Sequence, residues 1–109
     1  MEDLIKVLKS NQGNLTLESV DKAIPLPPAS LQSMLKKDLG IPGILISNHK
    51  KAFVNPYYNT EWDTFQTISS SQLTQHLAGI ARSVSAAVYE LATGKSLPSD
   101  IQANTTLVC

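Results

Sequence analysis

Glu61 and Asp63 are the first residues to suggest chemistry. They stand two apart in Tyr57-Tyr58-Asn59-Thr60-Glu61-Trp62-Asp63-Thr64, among three aromatic side chains. Two carboxylates can share general acid and general base work when a fold holds both at the reacting bond. The plainer use of the same pair is to cap turns or a helix N-terminus by accepting backbone N–H groups. His49 and His76 lie far apart, and neither has a second histidine, cysteine or carboxylate at ligand spacing. A local zinc site is therefore not expected. His76 falls at the edge of an apolar helical stripe and reads as a boundary residue. Ser69, Ser70 and Ser71 match no G-x-S-x-G nucleophile elbow. The residue types thus assign no catalytic residue and no cofactor.

Cys109 is the only cysteine and the last residue. A lone thiol is either free or paired with a residue outside this sequence. Asn14-Leu15-Thr16 and Asn104-Thr105-Thr106 are sequons, so Asn14 and Asn104 are candidate glycosylation sites if the chain enters the secretory pathway. Nine basic and nine acidic residues leave no net charge. The short basic runs Lys36-Lys37 and His49-Lys50-Lys51 are too small to bind nucleic acid or an anionic membrane, which need a clustered excess. No stretch approaches the roughly 18 apolar residues of a membrane-spanning helix, and MEDLIKVLKSNQ has acids where a signal peptide has bases.

These residues need elements to position them. Leu4, Ile5 and Leu8 share one face of an expected helix over 2–11. Asn11 to Asn14 reads as a turn, and 15–21 as a connector or brief strand. Ile24-Pro25-Leu26-Pro27-Pro28 is too rich in proline for helix or inner strand. It reads as a stiff lead-in to a helix over 28–39, with Leu31, Met34 and Leu35 buried and Gly40 as a left-handed stop. A motif for proline-reading partners is the other use of such a run. Gly43-Ile44-Leu45-Ile46-Ser47 is continuously apolar at its centre, the pattern of a strand covered on both faces. A strand of five residues needs partners, and this chain offers no obvious ones. The longest periodic segment is a helix over about 71–93. Its stripe is Leu73, Leu77, Ile80, Ala81, Val84, Val88 and Leu91, with Ala78, Ala86, Ala87 and Ala92 thinning the neighbouring faces and Gly94 ending it. Strand, aromatic loop and helix in succession imply an α/β fold, in which ligands sit beyond the carboxyl ends of strands.

A resemblance sharpens this reading. Gly40-Ile41-Pro42, the apolar run, Tyr58-Asn59-Thr60-x-x-Asp63-Thr64 and the alanine-rich helix ending Tyr89-Glu90-Leu91-Ala92 resemble the C-terminal part of the zinc aminopeptidase fold. Active members of that superfamily carry Tyr-His-Thr-x-x-Asp, whose histidine is a zinc ligand. Here the position is Asn59, and an amide is a poor substitute for imidazole. Leu26 to Gln32, Ala52-Phe53-x-Asn55-x-Tyr57-Tyr58 and Tyr89-Glu90-Leu91-Ala92-x-Gly94 narrow the resemblance to the nicastrin family, the glycosylated ectodomain subunits of γ-secretase.

The resemblance implies that residues 1–109 are part of one three-layer, zinc-aminopeptidase-like pseudo-peptidase ectodomain, continuing beyond both ends. It implies a degenerate zinc position at Asn59, no bound metal and no activity of its own. The parent protein would support intramembrane proteolysis and substrate recognition, with presenilin, the other γ-secretase subunits and type I membrane substrates as partners. Its place would be the lumenal or extracellular side of a single-pass membrane protein, with no membrane insertion by this segment. That setting suits the two sequons and gives Cys109 a disulfide partner outside the chain. The alternative is an active zinc aminopeptidase or glutaminyl-cyclase-like enzyme of the same fold, for which a histidine at position 59 would argue.

Overall fold

The computed structural model describes residues 2–49, 55–68 and 70–107. Cys109 lies outside the described residues, as do Ala52 and Phe53. The described residues form four helices: α1 (Glu2–Ser10), α2 (Ser30–Leu35), α3 (Phe65–Ile68) and α4 (Ser71–Thr93). Each long helix carries its own end signals. Glu2 and Asp3 sit in the first turn of α1 and Lys9 in the last, which complements the helix dipole. At the start of α4 the Ser70 hydroxyl accepts a hydrogen bond from the Leu73 N–H at 3.1 Å. At its end Gly94 adopts φ 71° and donates its N–H to the Glu90 carbonyl at 2.8 Å. Helices over 2–11 and 71–93 are therefore as the periodicity expects.

Three expectations need correction. The helix expected over 28–39 spans only Ser30–Leu35, and Gly40 has no positive φ and caps nothing. The Ala29 side chain makes no cap bond, and Asp38 turns back to accept the Gly40 N–H at 2.8 Å, so local bonding replaces the last helical turn. The strand expected over 43–47 is not formed, and the described residues contain helices and no strand. The run from Ile41 to Ser47 has no turn, bend or helix. Among the described residues no second strand lies beside it, and a ladder needs two strands. Finally, the apolar stripe of α4 is covered only in part: Leu73, Leu77, Ile80, Ala81 and Val84 are half-buried, whereas Val88 and Leu91 are exposed. The fully buried residues of α4 are Ala78, Ser83, Ala86 and Ala87.

The reason lies in what packs against α4. The partner is α1 together with the turn after it. Asn11 Nδ2 donates to Glu90 Oε2 at 2.7 Å, and Ser83 Oγ donates to the Gln12 carbonyl at 3.0 Å. Leu15 lies over Gly79, where an added Cβ would sit 3.6 Å from Leu15 Cδ2. Gly79, Ser83, Ala86 and Glu90 recur at helical spacing, so they form one face that a backbone can approach closely. The small residues that the periodicity assigns to thin faces are thus the contact itself, helix against helix.

This contact makes a thin core. Among the described residues no large side chain is fully buried, and the buried apolar residues are all alanines. Accessible surface is 8618 Å², against about 5900 Å² for a compact monomer of this mass. The radius of gyration is 15.5 Å, against about 13 Å. Large apolar side chains are part of that surface, Leu39, Trp62, Val88 and Leu91 among them.

Candidate functional site

The loop from Asn55 to Thr64 is a chain of turns that bonds to itself. Asn55 Oδ1 accepts the Tyr57 N–H at 2.9 Å, and the Asn55 carbonyl accepts the Tyr58 N–H at 3.3 Å. The Tyr57 carbonyl takes the Thr60 N–H at 3.0 Å and the Thr60 hydroxyl at 2.7 Å. The Thr67 hydroxyl, within α3, donates to the Trp62 and Thr64 carbonyls at 3.1 and 2.8 Å. Asn, Thr and Asp are the residues whose short side chains bond locally to the backbone, so the composition of the loop explains its shape.

Asn59 is the one non-glycine residue with a positive φ among the described residues, at 56°. Asparagine enters this left-handed region more readily than most residues. Its N–H points to Asp63 Oδ2 at 3.4 Å. Asp63 therefore does what the plainer reading expects of an acid here: it closes a turn. Glu61 and Asp63 are both exposed to water. Among the described residues, no group of three histidine, cysteine, aspartate or glutamate side chains converges to hold a metal ion. His76 is exposed on α4, and Asn14 and Asn104 are exposed on the surface. Asn104 Oδ1 accepts the Thr106 N–H at 2.9 Å within its own sequon.

What the fold adds is a groove of about 260 Å³ lined by Pro27, Pro28, Leu45, Ile46, His49, Asn55 and Tyr58 with Ser47 and Asn48 between. It joins three separate stretches: the proline run, the end of the apolar run and the start of the loop. Sequence reasoning missed it, because it treats the prolines as a lead-in to α2 and the loop as a feature of its own. Only the stiffness of the proline run hinted that it would stand as a wall. Asn59 lies outside this lining. Beyond it Tyr57, Trp62 and Phe65 are exposed, Trp62 by 64%. Water-exposed carboxylates and open aromatic faces suit contact with another surface better than a reaction that must exclude water.

Comparison with known proteins agrees with the resemblance to the nicastrin family. The family described as Nicastrin large lobe matches residues 1–96. Human nicastrin is 32% identical over 122 aligned positions, which cover 95% of this chain and 17% of the human protein. Mouse nicastrin is 31% identical over the same shares. Nicastrin of Arabidopsis thaliana is 26% identical over 75% of this chain and 13% of its own length. No solved structure matches. The chain spans about a sixth of the length of its mammalian relatives. Among the described residues, no helix is long and apolar enough to cross a membrane. With a family match over nearly its whole length, the chain belongs to the nicastrin family and corresponds to a stretch of the large lobe.

Proposed function

We propose that this chain is a non-catalytic piece of a nicastrin-like subunit of γ-secretase, whose parent protein supports intramembrane proteolysis and recognition of its substrates. The observation that carries the reading is Asn59. In the pattern Tyr58-Asn59-Thr60-x-x-Asp63 it stands where the enzyme superfamily keeps a zinc-binding histidine. Its left-handed backbone and its bond to Asp63 make it a turn residue at the water surface. An amide side chain there offers zinc little.

The surface excess supports a second part of the reading. Residues 1–109 are part of one larger three-layer pseudo-peptidase ectodomain, which would cover the exposed stripe of α4 around Val88 and Leu91. The ectodomain is lumenal or extracellular, with Asn14 and Asn104 as acceptors of N-linked glycans and Cys109 paired outside this stretch. Its partners are presenilin, the other γ-secretase subunits and type I membrane-protein substrates.

Affinity capture of the full polypeptide that carries this chain tests the proposal. Presenilin and the other subunits are expected to copurify, and metal analysis is expected to find no stoichiometric zinc. A polypeptide that purifies without them overturns the reading. One zinc per chain, with an aminopeptidase activity lost on Asn59→Ala, would establish the enzyme alternative in its place.

A further inference from the structure

The fold holds the two sequons in different ways. Asn14 and Gly13, whose φ is 61°, are the central residues of a turn that the Leu15 N–H closes on the Gln12 carbonyl at 3.1 Å. Ser83 Oγ of α4 donates to the same Gln12 carbonyl at 3.0 Å, and the Leu17 N–H donates to Gln12 Oε1 at 3.2 Å. Leu15, the middle residue of the sequon, is half-buried over Gly79 of α4. Asn14 and Thr16 face water, but the backbone between them is tied to α4. Asn104, Thr105 and Thr106 are all exposed. Among the described residues their bonds are local: the Thr106 N–H donates to Asn104 Oδ1 at 2.9 Å, and the Leu107 N–H donates to the Asn104 carbonyl at 3.1 Å. Upstream, Arg82 Nη2 donates to the Pro98 carbonyl at 3.4 Å, so α4 holds this segment at Pro98 and not at the sequon.

We propose that one folding step separates the two sites: Asn14 accepts its glycan only before α1 packs against α4, and Asn104 accepts one afterwards as well. The inference rests on the lumenal placement proposed above. In the transfer, the asparagine Nδ2 attacks the anomeric carbon of a lipid-linked oligosaccharide. A C–N bond forms and the bond from that carbon to the diphosphate oxygen breaks. The lipid diphosphate leaves with the electron pair, and the amide proton passes to a base of the transferase. The transferase must hold asparagine, middle residue and threonine together, so the acceptor segment has to come away from the surface behind it. Such opening is easy where a segment makes few buried contacts, and approaches the difficulty of unfolding where it is packed. At Asn104 it breaks one Asx turn and one backbone turn, and water replaces both bonds. At Asn14 it lifts Leu15 off Gly79 and breaks the Ser83–Gln12 bond, which belongs to the seam between α1 and α4. The order of the chain agrees. Asn14 is made before α4 exists, so its sequon is open when it first meets the enzyme. Asn104 follows α4 and arrives when the seam can already close. A glycan is bulky and polar, and both asparagines are exposed, so neither attachment opposes the packed state.

Site-resolved mass spectrometry of the full polypeptide that carries this chain, made in a glycosylating cell, reads both occupancies. Both asparagines are expected to carry glycan in the unaltered protein. Thr16→Ser and Thr106→Ser each keep a sequon but slow the transfer, because serine is the poorer acceptor hydroxyl. Asn14 is expected to lose most of its glycan in Thr16→Ser, since packing closes the window. Asn104 is expected to keep its glycan in Thr106→Ser, since the folded surface remains a substrate. Adding Leu15→Ser to Thr16→Ser removes the anchor over Gly79 and is expected to restore the glycan at Asn14. Equal occupancies in the two serine variants, a greater loss at Asn104, or no recovery with Leu15→Ser overturns the proposal and leaves the lumenal placement standing. An unaltered protein with no glycan at either asparagine overturns both.

Discussion

Ala86→Leu tests which face of α4 holds this chain together. Ala86 is 1% exposed and lies on the small-residue face against α1. Leucine adds three carbons where no space is open. Burying them would be worth about 0.8 kcal/mol each if room existed. Without room, overpacking costs about 1–3 kcal/mol, and the alternative is for α1 to move away. Moving α1 sacrifices the Asn11–Glu90 and Ser83–Gln12 hydrogen bonds. A bond to a carboxylate is worth about 1.5–3 kcal/mol and a neutral one about 0.5–1.5 kcal/mol, so neither route is cheap. Val88→Leu is the comparison. It makes the same side chain two residues further on, round the helix on the stripe, at a position 59% exposed, where the expected change is within about 0.5 kcal/mol. The assay is urea unfolding followed by far-ultraviolet circular dichroism, with hydrogen exchange of the α1 amides as a local probe. Ala86→Leu is expected to lower the urea midpoint and to deprotect α1, while Val88→Leu does neither. The reverse ranking, with Val88→Leu destabilising and Ala86→Leu neutral, would refute the packing described for α4.

The remaining predictions concern single contacts. Ser70→Ala removes the N-cap of α4 and is expected to cost about 1 kcal/mol in urea unfolding, whereas Ser70→Asp keeps most of it. Gly94→Ala forces a Cβ into φ 71° and is expected to cost about 1–2 kcal/mol, with fraying seen as faster exchange at the end of α4. Gly43→Ala drives a methyl group into Leu31 and is expected to destabilise by about 1 kcal/mol. In a double-mutant cycle, Leu31→Ala should relieve most of that loss, and strict additivity would show that the two do not touch.

The ends of α4 and the turn chemistry of the loop were legible in the sequence because their causes are local, whereas the ends of α2 were not. Ser70 before a periodic run and Gly94 after it mark the ends of α4 within a residue or two of the chain itself. The turns from Asn55 to Thr64 follow from asparagine, threonine and aspartate bonding to their own backbone. The role of Asp63 as a turn-closing acid was legible for the same reason.

Tertiary structure decided what no local cause reaches. Periodicity says which residues of α4 want burial, but it does not say which partner arrives. The partner here is α1, and it takes the face where Gly79, Ser83 and Ala86 allow close approach, leaving Val88 and Leu91 in water. The run at Ile44 to Ile46 has the composition of a strand, yet a strand exists only as half of a ladder, and the described residues supply no other half. The groove between the prolines, the apolar run and Tyr58 exists only once three distant stretches meet. Composition and spacing act over one or two turns of chain, whereas pairing and packing depend on a second surface, and the second surface is what the sequence pattern of an element does not contain.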